Sequence, residues 1–227
     1  MGSNPTASTK LNSSMKAKVA VFVNHPQCSV QSAHGIVRTL TGTFDVDCIG
    51  RHQLRDRILK KYDLLAVPGG IGDSDTWHDI IEPCQDSIAN HILRGKRYLG
   101  ICMGAYWAGS HYLNLLNGVD TVQYIKRPDS DVKRSWGTVT EVDWLGVKES
   151  MYFYDGCAFV DTGGSYDVVA RYKNNDPAAI IQGNLGLIGP HPESDIYWYD
   201  RSGIKPYWHE YRHHQLLFDF VQRLMSL

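Results

Sequence analysis

The sequence lacks any apolar run approaching the about 20 residues that a membrane-spanning helix needs, and its N-terminus lacks the charged-then-apolar pattern of a secretory signal. A cytoplasmic protein with no membrane partner is the expectation. An excess of charge of either sign is also missing: 23 Lys and Arg stand against 24 Asp and Glu, for a formal net charge of -1. No global field is then available to hold nucleic acid, so no nucleic-acid partner is expected. The five cysteines, Cys28, Cys48, Cys84, Cys102 and Cys157, are odd in number and never spaced Cys-x-x-Cys. That excludes a disulfide framework and a zinc knuckle and fits free thiols in a reducing compartment. Internal repeats and low complexity are absent after residue 16. What is present is ordinary globular composition, 43% hydrophobic and 21% charged over 227 residues, which excludes a disordered or fibrous chain.

Residues 1–16 are polar, rich in Ser, Thr and Asn and without periodicity, the pattern of a disordered tail or an appended segment. Regular patterning starts at Lys18. Val19 to Val23 is a short, β-branched, continuously apolar run, as expected of a strand covered on both faces. It is followed by a helix over 29–40 with Ser29 as cap, a strand over 44–49, a short helix over 53–60 and an apolar strand over 63–67 that ends in Pro68-Gly69-Gly70. A helix over 79–94 closes at Gly95, a strand over 97–101 runs into Cys102, and a helix over 105–116 follows. Such alternation predicts a parallel, helix-covered sheet. The second half changes character, with short strands over 138–144, 151–160, 166–172 and 178–182, read as antiparallel additions, and a closing helix from Tyr207 to Leu227. No linker separates the halves, so residues 17–227 are expected to form one α/β domain.

The most specific motif is Gly100-Ile101-Cys102-Met103-Gly104, placed where a buried strand turns into a helix. Glycines two residues before and after the central residue let strand and helix approach where a Cβ would clash, leaving the side chain between them projecting as a nucleophile. At the start of a helix the unpaired N–H groups favour an anionic attacking group. Acyl chemistry also needs donors for the oxyanion: the N–H of Met103 is one candidate, and Gly69-Gly70-Ile71, at the end of the neighbouring strand, offers others. The base is expected in Gly189-Pro190-His191-Pro192-Glu193. Pro192 forces His191 extended, and residues i and i+2 of an extended segment share a side, so Glu193 can hold the His191 ring while its other nitrogen faces the thiol.

Other candidates carry less. His209 and His213 have the i, i+4 spacing of a metal pair but no third ligand, so they read as a solvated helical face, and no metal or other cofactor is expected. The pairs Tyr106 and Trp107, Trp198 and Tyr199, and Tyr207 and Trp208 fit either a pocket or a core. Asp73 and Asp75 either point into the cleft or cap the helix that follows.

Through Pro68-Gly69-Gly70, the Cys102 elbow and His191-Pro192-Glu193, in that order, the chain resembles the class I glutamine amidotransferase-like superfamily over about residues 18–193. The wording around Cys102, the His-Pro-Glu motif and the aromatic strand with Gly156 looks most like the N-terminal domain of eukaryotic-type biotin-protein ligases and related stand-alone proteins. The resemblance implies a flavodoxin-like fold with a Cys102, His191 and Glu193 triad. Glutaminases of the superfamily carry Gln four residues after the nucleophile; here that position is Tyr106, which cannot supply the same amide contacts and argues against glutamine as substrate. The leading reading is a cysteine-nucleophile amide hydrolase or amidotransferase-like enzyme acting on a small amide or peptide. The alternative is a non-catalytic binding or regulatory module partnering a biotin ligase or another synthetase.

Overall fold

The computed structural model describes residues 16–26, 28–70, 77–201 and 203–227. Eleven strands are formed there: β1 (Lys18–Phe22), β2 (Asp45–Ile49), β3 (Leu64–Val67), β4 (Arg97–Ile101), β5 (Val119–Gln123), β6 (Thr138–Trp144), β7 (Val147–Phe153), β8 (Cys157–Asp161), β9 (Asp167–Tyr172), β10 (Pro177–Gln182) and β11 (Leu185–Ile188). Five α-helices accompany them: α1 (Val30–Leu40), α2 (Asp56–Leu59), α3 (Gln85–Leu93), α4 (Met103–Tyr106) and α5 (Arg212–Met225).

Alternation along each strand decides which layer a residue joins. In β1, Val19 and Val21 pack with Ile36 and Leu40 of α1 and with Leu217, Phe220 and Leu224 of α5. Ala20 and Phe22 point the other way, to Leu59 of α2 and Ile88 of α3. The nine-stranded sheet runs β2-β1-β3-β4-β11-β10-β9-β6-β7. Its first five members are mutually parallel, and β10, β9, β6 and β7 extend it antiparallel. This is a flavodoxin-like α/β fold with helices on both faces. The antiparallel half needs only tight turns: β6 meets β7 through Leu145 and Gly146, at φ 51° and 87°, the two positive angles of a hairpin turn whose twist suits the strands. Among the described residues no helix is long and apolar enough to cross a membrane.

Several boundaries differ from expectation, each for a local reason. The helix predicted over 79–94 begins as a π-helical turn, Trp77–Ile81, passes through a 3-10 turn holding Pro83, and is regular only in α3, because proline cannot donate to the helical ladder. The helix predicted over 105–116 is the single turn α4, after which Gly109 and Asn114, the latter at φ 51°, let the chain fold back on itself. The strand predicted over 151–160 is two, β7 and β8, split at Asp155 (φ 48°) and Gly156. The closing helix starts at Arg212, after Glu210 and Tyr211 take left-handed angles. Strand β5, which pairs with β8, was not read from the sequence.

Candidate functional site

The parallel strands β3, β4 and β11 deliver their C-terminal ends to one edge of the sheet, and three motifs meet there. Cys102 N–H donates to Ile188 O at 2.8 Å, continuing the β4–β11 pairing for one more residue before the chain turns. The turn is tight enough that Cys102 sits at φ 51°, ψ -105°, an angle pair an L-residue holds only under constraint from its surroundings. The constraint is visible in the flanking glycines: a Cβ on Gly100 would strike the Gly104 carbonyl, and one on Gly104 would strike the Val67 carbonyl. Because α4 is one turn long, the helix dipole contributes little to this thiol, and local N–H groups and charges matter more.

His191 and Glu193 lie beside it, but not on the expected extended segment: Pro192 and Glu193 form a turn, closed by Ser194 N–H donating to His191 O at 3.3 Å, and the turn rather than a strand pitch brings the two side chains together. His191 Nδ1 and Glu193 Oε1 are 2.8 Å apart. A Cβ on Gly69 would strike the His191 ring and stand 3.3 Å from Cys102 Cβ, so the glycine is the floor on which thiol and imidazole come together. Exposure is 3% for Cys102, 3% for His191 and 0% for Glu193, so a ligand must enter rather than rest on the surface. Burial alone would push His191 down, but the Glu193 carboxylate, and after it Cys102, overrule burial and bring it up to about 10. The Glu193 carboxylate thus favours the protonated ring. Its Nε2 is buried without an aligned partner. The Cys102 thiol donates to the Tyr154 carbonyl at 3.3 Å.

One residue that sequence reasoning missed ties the site to α1. Ser32 Oγ donates to Glu193 Oε1 at 2.6 Å and accepts from Gly69 N–H at 2.9 Å. Ser29 caps the same helix by accepting from Ser32 N–H at 3.1 Å, as expected, and its own N–H donates to Gly69 O at 3.0 Å. Gly35, one turn on, lets the helix approach until a Cβ there would strike the Glu193 carbonyl. The Gly69 N–H is thus engaged by Ser32, which corrects its expected part as an oxyanion donor; Gly70 and Met103 line the cleft beside Cys102, and Ile71, Asp73 and Asp75 lie outside the described residues.

Two cavities flank the thiol and imidazole, sharing Gly70 and Tyr154 as their partition. The larger, about 670 Å³, contains His191 and is walled by Tyr152, Tyr197, Trp198, Gln31 and Arg201. The smaller, about 350 Å³, contains Cys102 with Met103, Tyr106, Gln123 and Asp155. Tyr106 OH donates to Asp155 O at 3.1 Å, so the phenol shapes this wall. Of the six aromatic candidates, Tyr106, Trp107 and Trp198 line the cavities, Tyr199 is core, Trp208 is half-buried against the cluster of Tyr152, Tyr199 and Ile204, and Tyr207 is exposed. Tyr152 and Tyr154 were missed, although their period-2 spacing in and just after a strand was the available signal.

His209 and His213 are neither a helical pair nor a solvated face: His209 precedes α5 and accepts from His213 N–H at 3.2 Å, while His213 lies in its first turn. His209 and His213 are buried and stack with ring centroids 3.9 Å apart, and His213 Nε2 is 3.0 Å from Glu149 Oε2. His214 Nε2 lies 2.9 Å from Ser194 O. A helical period cannot reveal that a second layer covers the polar face, which is where the expectation failed. Among the described residues no group of three or more His, Cys, Asp or Glu is arranged to hold a metal ion.

Residues 19–120 match the family model described as biotin-protein ligase, N terminal, a little under half of the chain. A glutamine amidotransferase from Thermotoga maritima superimposes with a TM-score of 0.68 at 12% identity, over 94% of this chain and 100% of that one. PurLQS from Thermotoga maritima gives 0.62 at 20% identity over 91% and 100%, and another glutamine amidotransferase gives 0.64 at 17% over 92% and 99%. The chain has a class I glutamine amidotransferase-like fold with the biotin-protein ligase N-terminal signature in its first half. No curated protein matches its sequence. Within the amidotransferase-like fold, the matched residues 19–120 include the Gly69-Gly70 floor and the Cys102 elbow, whereas His191 and Glu193 lie beyond them.

Proposed function

We propose that this chain is a cysteine-nucleophile amide hydrolase in which Cys102 attacks, His191 carries the proton and Glu193 orients His191. The observation that carries the reading is the strained Cys102 backbone beside a buried His191 and Glu193 pair, since strain of this kind persists only where the surrounding structure enforces it. Protonated by the thiol, His191 is the proton donor to the leaving nitrogen, and once neutral it takes a proton from the water that releases the acyl group. The N–H groups of Gly70 and Met103 are the donors for the developing oxyanion. Tyr106, fixed on Asp155 O, occupies the wall where an amide-holding side chain would serve a glutaminase, which favours another amide. A cytoplasmic location agrees with five free thiols.

Iodoacetamide labelling tests the reading. Cys102, although buried, is expected to be alkylated faster than the exposed Cys48, with the advantage lost in His191→Ala. Labelling no faster than at Cys48, or unchanged by His191→Ala, overturns it. The hydrogen bond from the thiol to Tyr154 O favours a second reading, a regulatory module for a biotin ligase or synthetase with a resting thiol. On that reading a Cys102→Ser chain still supports its role in cells; on the hydrolase reading it does not.

A further inference from the structure

The two cavities of this site carry opposite charge, and their order along the reaction gives that difference a meaning. Among the described residues that line the larger cavity the permanent charge is Arg201, and no carboxylate pairs with it. Its Nη1 stands 3.3 Å from where a Cβ on Gly137 would lie, a position also crowded by the Tyr152 hydroxyl, so guanidinium and phenol border the same space. A second donor close by has no acceptor: Trp198 Nε1 is buried and unpartnered. The Trp198 ring is 5.3 Å from the His191 ring and 5.0 Å from that of Tyr152, so these donors stand one ring away from the imidazole. Trp198 Nε1 itself is shut off from the cavity, so the donor available there is the Arg201 guanidinium, and an unpaired guanidinium in an aromatic pocket fits an oxygen-rich anion with an apolar body. Among the described residues that line the smaller cavity the charge is Asp155, which accepts from Gln123 Nε2 at 3.1 and 3.2 Å.

His191 lines the larger cavity and Cys102 the smaller one. In amide cleavage the amine half departs on the side of the proton donor and the acyl half stays with the nucleophile. We infer that the substrate is a dipeptide-like amide whose amine half bears a free carboxylate, received by Arg201 beside the Trp198 and Tyr152 rings, and whose acyl half presents an ammonium to Asp155. This rests on the hydrolase reading above and names its substrate class. The Cys102 thiol, which donates to Tyr154 O at rest, passes its proton to His191 Nε2, and the sulfur adds to the amide carbonyl carbon. The C–N bond then breaks as His191 Nε2–H passes its proton to the leaving nitrogen, and an amino acid departs from the larger cavity. Water, losing a proton to neutral His191, attacks the thioester carbonyl, the C–S bond breaks, and the second acid leaves as His191 returns its proton to the sulfur.

The probes are glycylphenylalanine, its C-terminal amide, and its N-acetyl form. Binding is measured by calorimetry on the full chain carrying Cys102→Ala, and turnover on the unaltered chain by release of phenylalanine. The free acid is expected to bind about ten- to hundredfold tighter than the C-terminal amide, the range of one charge-assisted interaction. Arg201→Gln is expected to erase that preference while leaving the N-acetyl penalty in place, and Asp155→Asn to do the reverse. Equal binding of acid and amide, or a preference that survives Arg201→Gln, overturns the inference; the acid-to-amide ratio in the parent chain decides it even if a variant fails to fold. Binding preference without turnover refutes the hydrolase reading alone, and turnover without preference refutes the substrate class alone.

Discussion

Replacing Ser32 by alanine separates a buried site network from ordinary helix packing. The substitution keeps Cβ and removes one oxygen, so it opens almost no cavity and its cost is polar. Two bonds are lost. The hydroxyl that meets Glu193 Oε1 at 2.6 Å is a donor to a fully buried carboxylate, and such a bond contributes about 1.5–3 kcal/mol. The Gly69 N–H, which donates to the same oxygen at 2.9 Å, loses its acceptor in the interior, a penalty of about 1–3 kcal/mol. Glu193 Oε2 is already without a partner and cannot compensate. The sum is about 2.5–6 kcal/mol, which at a urea m-value of about 3 kcal/mol/M lowers the unfolding midpoint by about 1–2 M. Ser29→Ala is the matched control: it removes the cap of the same helix, one bond at 3.1 Å, and costs about 1 kcal/mol. There is a second readout. With Ser32 gone, the charge on Glu193 acts on His191 alone, so the imidazole titration followed by NMR moves upward from its already raised position. If Ser32→Ala is no more destabilised than Ser29→Ala and the His191 titration stays where it was, Ser32 is not part of the site.

Two further outcomes follow from the same contacts. Gly69→Ala places a methyl group against the His191 ring, so the chain is expected to fold with His191 displaced and to lose selective alkylation of Cys102; retained selectivity would refute the floor assigned to Gly69. Stability is expected to fall on the acid side. Burial first, then neighbouring imidazoles and Arg212, holds His209 down to about 3 and His213 to about 2, against about 6.5 in an unfolded chain. Both are neutral when folded and take up protons on unfolding, so their stabilisation is complete above pH 6.5 and is lost as pH falls through it. Near pH 5.5 the slope approaches about 2.7 kcal/mol per pH unit from the pair, and removing one histidine halves it. Urea midpoints between pH 6.5 and 5.5, measured also in Glu149→Gln because burial pushes the Glu149 carboxyl up and it adjoins His213, check this; a flat profile in both chains refutes it.

The parts of this molecule that were legible beforehand are those set by neighbours in the chain. A β-branched run buried on both faces and a glycine-flanked cysteine between strand and helix are decided within a few residues and stand where expected. The His-Pro-Glu pairing is also local, but it is made by a turn rather than by the extended segment expected. Boundaries that depend on how far a pattern continues were less legible. The run after Cys102 has helical composition, yet it stops after α4, because Gly109 packs against Thr121 and Asp120, residues delivered by the unread strand β5.

Ser32 marks the limit from the other direction. It lies between Ser29 and Ile36 on the buried side of an amphipathic helix, and a hydroxyl in that position signals by itself that something polar must meet it. What meets it is Glu193, 161 residues away, brought there by the β11 edge and by a Gly35 that lets α1 close on the Glu193 backbone. Arg201 is the same case in the open: nothing near it in sequence distinguishes a surface arginine from one that borders a cavity. The distinction appears only when Tyr152, from the antiparallel extension, and Trp198, beyond the His-Pro-Glu turn, are folded against the imidazole. The residues proposed to react were readable because local chain geometry builds them. The groups that would choose a substrate come from the added second half, and only the folded sheet brings that half to the edge where the thiol waits.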